Sequence, residues 1–275
     1  MNPIHVALWC AIPLAIGVSI DSLELISDRL QLADGGLYGY PVLATARELT
    51  LTGPLATTFR LVFSYPAVLS LPAVQLAAAA LLLVAAVVRA PALVVPAGIA
   101  VLVILAARLL LVLRSPMSRD AGDSMTFVVC TGVAVCLLVS NHSAQNLALY
   151  YIASQLLLSY IVAGTAKAVS PTWRSGDAIP GVLNTIGHGS PTVGVFLKRH
   201  SSLSRALCWS VVMFECFAVA LLLIGTPGAI VIIAAGLCFH ISIAVLMGIN
   251  NFVWSFGATY PALLQLAHTV GTLWH

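Results

Sequence analysis

Residues 158–177 read LSYIVAGTAKAVSPTWRSGD and contain the end of a membrane-length apolar run. Lys167 closes that run three residues after Gly164, and a Trp173-Arg174 pair follows it. A lysine at the edge of hydrocarbon has two interpretations. It either anchors the helix end by reaching the interface or, when desolvated, is a neutral amine that acts as a base.

The composition predicts an all-α integral membrane protein. Hydrophobic residues make up 60% of the 275 residues, charged residues only 8%, and the mean hydropathy is +1.05. A soluble domain of this length could not cover so much apolar surface with so few charges. The apolar runs are continuous and lack the alternation of a membrane β-barrel. We therefore expect a single transmembrane helical domain over residues 1–275.

Runs of about 20 mostly apolar residues are long enough to cross a bilayer as helices. They predict a polytopic bundle of seven or eight transmembrane helices, with the last run either spanning or lying along the interface. Residues 177–200 are too rich in Gly, Pro and polar residues to span, and we expect an interfacial or re-entrant segment there. The runs lie near residues 5–22, 66–88, 91–113, 124–141, 147–168, 204–224, 227–249 and 252–271.

Lysine and arginine residues concentrate in every second loop between the predicted spans. They occur in the first, third and fifth loops, whereas the opposite side holds little more than Arg89. Because positive residues are enriched in cytoplasmic loops, this bias predicts an outside N-terminus and places Lys167 near the cytoplasmic side. The Ala-, Leu- and Val-rich composition favours the cytoplasmic membrane of a bacterium.

The expected partners follow from the same composition. The lipid bilayer is the first partner, and the net charge of +3 reflects the loop bias. No basic patch is interleaved with aromatic residues, so nucleic acid is not expected. The six cysteines fall in apolar runs without CxxC spacing, which predicts buried free thiols.

Ionisable residues inside apolar runs are costly, and each is a candidate for function. Glu215 stands alone within CWSVVMFECFAVALLL and must be paired, protonated or facing a cavity. Its candidate partners are Arg108, Lys167 and His240, and a structural ion pair or a neutral acid is equally compatible with the sequence. Asp21 and Glu24 close the first apolar run.

His240 lies in the run GLCFHISIAVLMGINNF. Helical spacing would place His240, Met247 and Asn251 near one face, with Gly248 marking a helix end. A lone histidine in an apolar helix is more often a satisfied core residue than a ligand or catalyst. No second His or Cys stands at metal-ligand spacing, so no metal site is expected.

Several of these residues together resemble one known family. They are Asp28-Arg29 and Asp34-Gly35 after the first run, Gly122-Asp123-Ser124-Met125, the motif SYIVAGTAK from Ser159 to Lys167, Trp173-Arg174-Ser175-Gly176, Glu215, and Phe239 to Phe252. The pattern resembles the horizontally transferred transmembrane domain (HTTM) family, the bacterial relatives of vitamin K-dependent gamma-carboxylase. The resemblance covers nearly the whole chain.

The resemblance implies a membrane enzyme related to the gamma-carboxylases, with carboxylase or epoxidase activity. In those enzymes a lysine deprotonates a reduced vitamin K, so Lys167 would be the base and a reduced quinone the cofactor. His240 would line the same site, and Glu215 would tune it. We expect a lipid-soluble substrate to contact Tyr160, Gly164, Trp173, Arg174 and Asn251.

Two other functions remain open from the sequence. The chain carries no large soluble part like the one with which the carboxylases hold peptide substrates. This favours a non-catalytic membrane subunit for maturation, assembly or immunity of a secreted peptide or a neighbouring membrane protein. A transporter or proton relay built on Glu215 and His240 is less favoured, because the sequence shows no inverted repeat.

Overall fold

The computed structural model describes residues 2–36, 38–41, 54–115, 120–187 and 189–272. Within these ranges the chain consists of helices joined by turns and contains no β-strand, which confirms the all-α prediction there. Two 3₁₀ turns, Ala67–Leu69 and Pro91–Leu93, precede the helices that begin at Ser70 and Val94. The helices are α1 (Pro3–Ser27), α2 (Arg29–Leu32), α3 (Pro54–Phe63), α4 (Ser70–Val88), α5 (Val94–Arg114), α6 (Ala121–Leu138), α7 (His142–Val169), α8 (Pro171–Ser175), α9 (Ala178–Leu183), α10 (Pro191–Arg199), α11 (Ser201–Leu222), α12 (Thr226–Met247), α13 (Asn251–Gly257) and α14 (Tyr260–Thr272).

Seven of these helices are long and apolar enough to cross a membrane, as judged by length and composition in the described ranges. They are α1, α4, α5, α6, α7, α11 and α12, with α4 and α5 extended by their 3₁₀ turns. A set of seven such helices suggests an integral membrane protein and agrees with the predicted bundle of seven or eight.

Polar side chains fix the starts of three long helices. Asn2, Asp120 and Asn141 each accept a hydrogen bond from a backbone N–H of the first turn, at 3.0, 2.8 and 3.0 Å. These bonds satisfy donors that have no partner within the helix. At the other end of α12, Gly248 adopts φ 72°, a left-handed conformation that glycine reaches without a steric penalty.

Helix α1 lies at the centre of the bundle and packs against α4, α6, α7, α13 and α14. Ala7, Ala11 and Ala15 recur every four residues along one face of α1, and all three are fully buried. Small residues on a helix face allow neighbouring helix backbones to approach closely. The alanine face therefore explains why α1 can contact so many neighbours.

After α12 the chain returns through the bundle as two helices in succession, α13 and α14, interrupted at Ala258 and Thr259. The Tyr150 hydroxyl on α7 lies 3.0 Å from the Thr269 hydroxyl on α14. The last apolar run, predicted either to span or to lie along the interface, is thus packed inside the bundle. Its buried side chains include Ala262, Leu263 and Ala267.

The chain between α7 and α11 forms three short helices, α8, α9 and α10, at one end of the bundle. They are too short to cross a membrane, and they pack against one another and against α11. The described residues of the segment predicted to be interfacial or re-entrant, 177–187 and 189–200, belong to this layer. We call this the basic end of the bundle, because it carries Lys167, Arg174, Lys198, Arg199 and Arg205.

Candidate functional site

Lys167 and Glu215 form an ion pair across the interface of α7 and α11. Lys167 Nζ lies 2.7 Å from Glu215 Oε1 and 2.6 Å from Oε2, so one ammonium donates to both carboxylate oxygens. The side chain of Glu215 is 3% exposed and that of Lys167 is 19% exposed. Either charge left alone at this position would carry a large desolvation cost. Among the partners predicted for Glu215, the structure selects Lys167.

Gly164, three residues before Lys167, allows α7 to approach α11 closely. A methyl group at Gly164 would lie 2.8 Å from Cys216 N and 2.9 Å from Glu215 Cβ, closer than side-chain carbons come to such atoms. The space beside Gly164 is therefore filled by the backbone of α11. This contact brings Glu215 within reach of the lysine.

The two side chains of the Trp-Arg pair that follows Lys167 lie in different environments. Lys167 Nζ lies 5.3 Å from the centroid of the Trp173 ring, which is within the range of a cation–π contact. Arg174 is exposed, and its side chain makes no hydrogen bond or ion pair to any described residue. Trp173 thus covers the ion pair, whereas Arg174 belongs to the outer surface of the basic end.

Tyr160, seven residues before Lys167 on α7, meets His240 of α12. The Tyr160 hydroxyl lies 3.2 Å from His240 Nε2, and both residues are 2% exposed. Their rings are enclosed by four aromatic side chains from α11, α12 and α13, so the hydrogen bond is shielded from water. The four are Phe214, Phe239, Phe252 and Phe256.

Tyr260, the first residue of α14, adds a third polar group to this aromatic layer. A methyl group at Gly236 would lie 2.7 Å from the Tyr160 hydroxyl and 2.9 Å from the Tyr260 hydroxyl, so both oxygens are close to Gly236. The buried Tyr260 hydroxyl thus lies beside the Tyr160 hydroxyl, whereas His240 Nδ1 is buried and has no hydrogen-bond partner in the described part of the chain. Because buried polar atoms are nearly always paired, His240 Nδ1 stands out as a candidate for contact with a ligand.

The two polar pairs share one face of α7. Lys167 and Tyr160 both point to the side where Gly164 touches α11, as the helical spacing predicts. The first pair can exchange a proton between an amine and a carboxylate, and the second presents hydroxyl and imidazole groups between flat rings.

A second charge cluster ties α1, α5 and α6 together. Arg108 Nη1 lies 2.8 Å from Asp21 Oδ2, and Arg108 Nη2 lies 2.5 Å from Asp123 Oδ1. A guanidinium that donates to two carboxylates at once fixes the relative positions of three helices. Arg108 is thus engaged here and is not a partner of Glu215.

Asn251 lies beside this second cluster. Its Nδ2 is 3.5 Å from Asp120 Oδ1 and would be 2.9 Å from a methyl group at Gly122. Burial raises the pKa of the Asp120 carboxyl, and a backbone hydrogen bond from Asp123 partly opposes that shift. Asn251 was expected among the substrate contacts, and the structure places it in contact with α6.

Of the three residues predicted near one face, His240 and Met247 lie on α12 at helical spacing, whereas Asn251 begins the separate helix α13. Gly248 ends α12, as predicted, and the turn there separates Asn251 from the other two. The expected residues that the structure does bring together are Tyr160, Gly164, Lys167, Trp173, Glu215 and His240.

Sequence reasoning missed two features. It gave Tyr260 no part in the site, although Gly236 on α12, one turn before His240, was a signal that a bulky group packs there. It also left Arg108 and Asp21 unpaired, because no spacing rule links residues 87 positions apart.

A metal centre is not formed by the described residues. No group of three His, Cys, Asp or Glu side chains lies close enough together there to hold an ion. The six cysteines are free thiols, and four of them are buried. The absence of a metal from the whole protein stays a prediction.

No protein-family model, curated protein or solved structure matches the chain. The resemblance to the HTTM family therefore stays a proposal that rests on its motif residues. The geometry of Lys167, Glu215, Tyr160 and His240 carries the functional argument.

Proposed function

We propose that this protein is an HTTM-like multi-pass membrane enzyme, in which Lys167 is the base that removes a proton from a lipid-soluble, quinol-like substrate. The observation that carries the proposal is the ion pair of Lys167 with the almost fully buried Glu215. Its setting is the cytoplasmic membrane of a bacterium, with the N-terminus outside and Lys167 near the cytoplasmic side, as the loop charges favour.

Glu215 gives Lys167 a route to its neutral form. Moving one proton from Nζ to an Oε atom crosses a hydrogen bond of 2.6 to 2.7 Å and converts two buried charges into a neutral amine and a neutral acid. In a medium of low dielectric, the equilibrium between the ion pair and the neutral pair lies further toward the neutral pair than it does in water. The amine can then accept the hydroxyl proton of a quinol, which leaves a quinolate beside an ammonium.

The aromatic layer supplies the binding contacts for a ring. Tyr160 and His240 present polar atoms between four phenylalanine rings, and His240 Nδ1 has no protein partner in the described ranges. Flat rings pack well against such side chains, and a hydroxyl on the ring would give His240 Nδ1 a partner. In this proposal Tyr160 and His240 orient the substrate, and Lys167 removes its proton.

Oxygen uptake with menadiol, a reduced naphthoquinone, tests the proposal. The deprotonated quinol gives two electrons to O₂, so each menadiol and O₂ yield one menadione and one hydrogen peroxide. Protein in nanodiscs is expected to raise the rate about 100-fold above empty nanodiscs, a typical gain from a positioned base. Lys167→Ala should return the rate to that of empty nanodiscs.

Two further variants keep this test decisive. The double variant Lys167→Met/Glu215→Gln removes both charges, so no carboxylate is left buried alone, and it should fold but be inactive. Lys198→Ala changes an exposed lysine of α10 and should keep full activity. Equal rates in the wild type and the double variant would exclude Lys167 as the base.

A non-catalytic membrane subunit is the second candidate. It is favoured by one observation, that a single ammonium already occupies both oxygens of Glu215, as a purely structural pin between α7 and α11 would. In that case the protein would be recovered from mild detergent with a bound peptide or membrane protein. A monodisperse monomer that oxidises menadiol would exclude this candidate.

A further inference from the structure

A cleft of about 360 Å³ opens at the basic end, on the first three turns of α11. Its lining combines two serines, an arginine and a tryptophan with one alanine: Ser201, Ser202, Arg205, Ala206 and Trp209. None of these residues belongs to the Lys167 site, which lies further along α11 at Glu215. The cleft therefore needs an explanation of its own.

The backbone around Arg205 is held in place by the α8 turn. Arg205 Nε donates to Ser175 O at 3.2 Å, and Ser204 Oγ donates to Gly176 O at 2.5 Å. A methyl group at Gly176, where φ is +95°, would lie 2.7 Å from Arg205 Cα, so the turn and α11 are in close contact. The guanidinium is thus oriented by one hydrogen bond, and the helix beneath it is fixed.

Most of the donors in the cleft are unused. Arg205 Nη1 and Nη2, the two serine hydroxyls and the Trp209 indole N–H make no hydrogen bond to any residue in the described ranges. Arginine presents its two terminal nitrogens as a planar fork that matches a phosphate group. A lining of unpaired donors around one such fork is suited to an anion with several oxygen acceptors.

The charges around the cleft also favour an anion. Arg174, Lys198 and Arg199 lie on the adjoining short helices of the basic end. The acidic side chain nearest in the α8 turn, Asp177, already accepts a hydrogen bond from Ser175 Oγ at 2.5 Å. The local balance is therefore positive.

Below the cleft, an apolar ridge continues along the same helix. Trp209, Met213 and Phe217 recur every four residues and are 39%, 50% and 53% exposed. Rows of side chains at this spacing form an inclined ridge on a helix surface. The order from Arg205 to Phe217 is thus cation, interfacial tryptophan and exposed apolar side chains, which is the order of head, glycerol and acyl chain in a phospholipid.

We propose that this cleft binds the phosphate headgroup of an anionic phospholipid, with Arg205 on the phosphate and an acyl chain along Met213 and Phe217. The site is independent of the proposed enzyme activity. Its ligand is part of the membrane itself, so the site would hold α11 and the short helices at a fixed depth in the headgroup layer.

Native mass spectrometry of the detergent-solubilised protein tests this site. After titration with phosphatidylglycerol, the wild type should retain one lipid that phosphatidylcholine does not replace. Arg205→Gln should bind phosphatidylglycerol about fivefold more weakly, the change expected when one basic residue near a membrane surface is lost. Arg199→Gln, a matched change at an exposed arginine of the same end, should have less than half of that effect.

Further measurements distinguish a lipid headgroup from free phosphate as the ligand and control for misfolding. Inorganic phosphate at millimolar concentration should not displace the lipid, and displacement would show that the cleft takes free phosphate instead. If Arg205→Gln disturbs the fold, Trp209→Ala on the exposed ridge gives the same readout and should also weaken lipid retention. Equal lipid binding by the wild type, Arg205→Gln and Trp209→Ala would overturn the proposal.

Discussion

Lys167 Nζ lies within 2.7 Å of both carboxylate oxygens of Glu215, and this one contact joins α7 to α11 at the basic end. The pair is nearly closed to its surroundings, since Trp173 lies over the ammonium and Glu215 is buried. It can act as a structural pin, as a proton-exchanging pair, or as both. The stability and activity of a few variants separate these roles.

Removing one partner of the pair should destabilise the protein strongly. Lys167→Ala leaves the Glu215 carboxylate buried without a counterion, and we expect the free energy of unfolding to fall by about 3–5 kcal/mol. Lys167→Met/Glu215→Gln should recover most of that loss, because no charge is then left unpaired. Chemical unfolding in mixed micelles measures both values. If Lys167→Ala were as stable as the wild type, that result would contradict the burial of the Lys167–Glu215 pair.

The contact of Gly164 with α11 predicts a steric effect. Gly164→Ala places a methyl group 2.8 Å from Cys216 N, so the helices must separate, and the free energy of unfolding should fall by about 1–3 kcal/mol. Gly181→Ala is the matched control, because its methyl group meets nothing within 4 Å. This control should be neutral or stabilising by about 1 kcal/mol or less. Equal effects of the two changes would argue against the close approach of α7 and α11.

The Arg108 cluster should act as a separate structural unit. Arg108→Leu leaves Asp21 and Asp123 facing each other without a cation, and we expect a loss of about 3–5 kcal/mol in the free energy of unfolding. Adding Asp21→Asn and Asp123→Asn to that variant should restore most of the stability. Arg199→Gln, on the exposed surface, should change stability by less than about 0.5 kcal/mol. Failure of the triple variant to recover would show that Arg108 acts by packing and not by charge.

The hydrogen bond of Tyr160 with His240 should matter more for activity than for folding. Tyr160→Phe keeps the ring packing and removes one hydroxyl, so the cost in stability should be about 1–2 kcal/mol. In the menadiol assay the KM should rise, because the substrate loses an orienting group while Lys167 is unchanged. A fall in kcat without a change in KM would place Tyr160 in the proton transfer itself.

The architecture could be read from the sequence because long apolar runs leave few alternatives in a membrane. Helical spacing alone also puts Tyr160, Gly164 and Lys167 on one face of α7, since that relationship is local. Glu215 was identified as needing a partner, but three partners were open. Choosing among them needed the packing of α7 on α11, which depends on contacts far apart in sequence.

The remaining differences between the predictions and the structure also arise from packing between segments that are far apart in sequence. Helical spacing grouped Asn251 with His240, but the left-handed turn at Gly248 ends α12 and redirects the chain before Asn251. The last apolar run, which contains Tyr260, was left as either spanning or interfacial, whereas α13 and α14 return through the bundle and bury Tyr260. In both cases the chain direction after a helix end decided the outcome, and hydropathy carries little information about it.

The oxygen-uptake assay with Lys167→Arg tests the base role of Lys167 most directly. Arginine keeps the positive charge and can still pair with Glu215, but it does not give up its proton in proteins, so it cannot become a neutral base. We predict that Lys167→Arg unfolds at the same temperature as the wild type to within a few degrees and loses the menadiol-dependent oxygen uptake. Full uptake in a folded Lys167→Arg protein would contradict the assignment of Lys167 as the base.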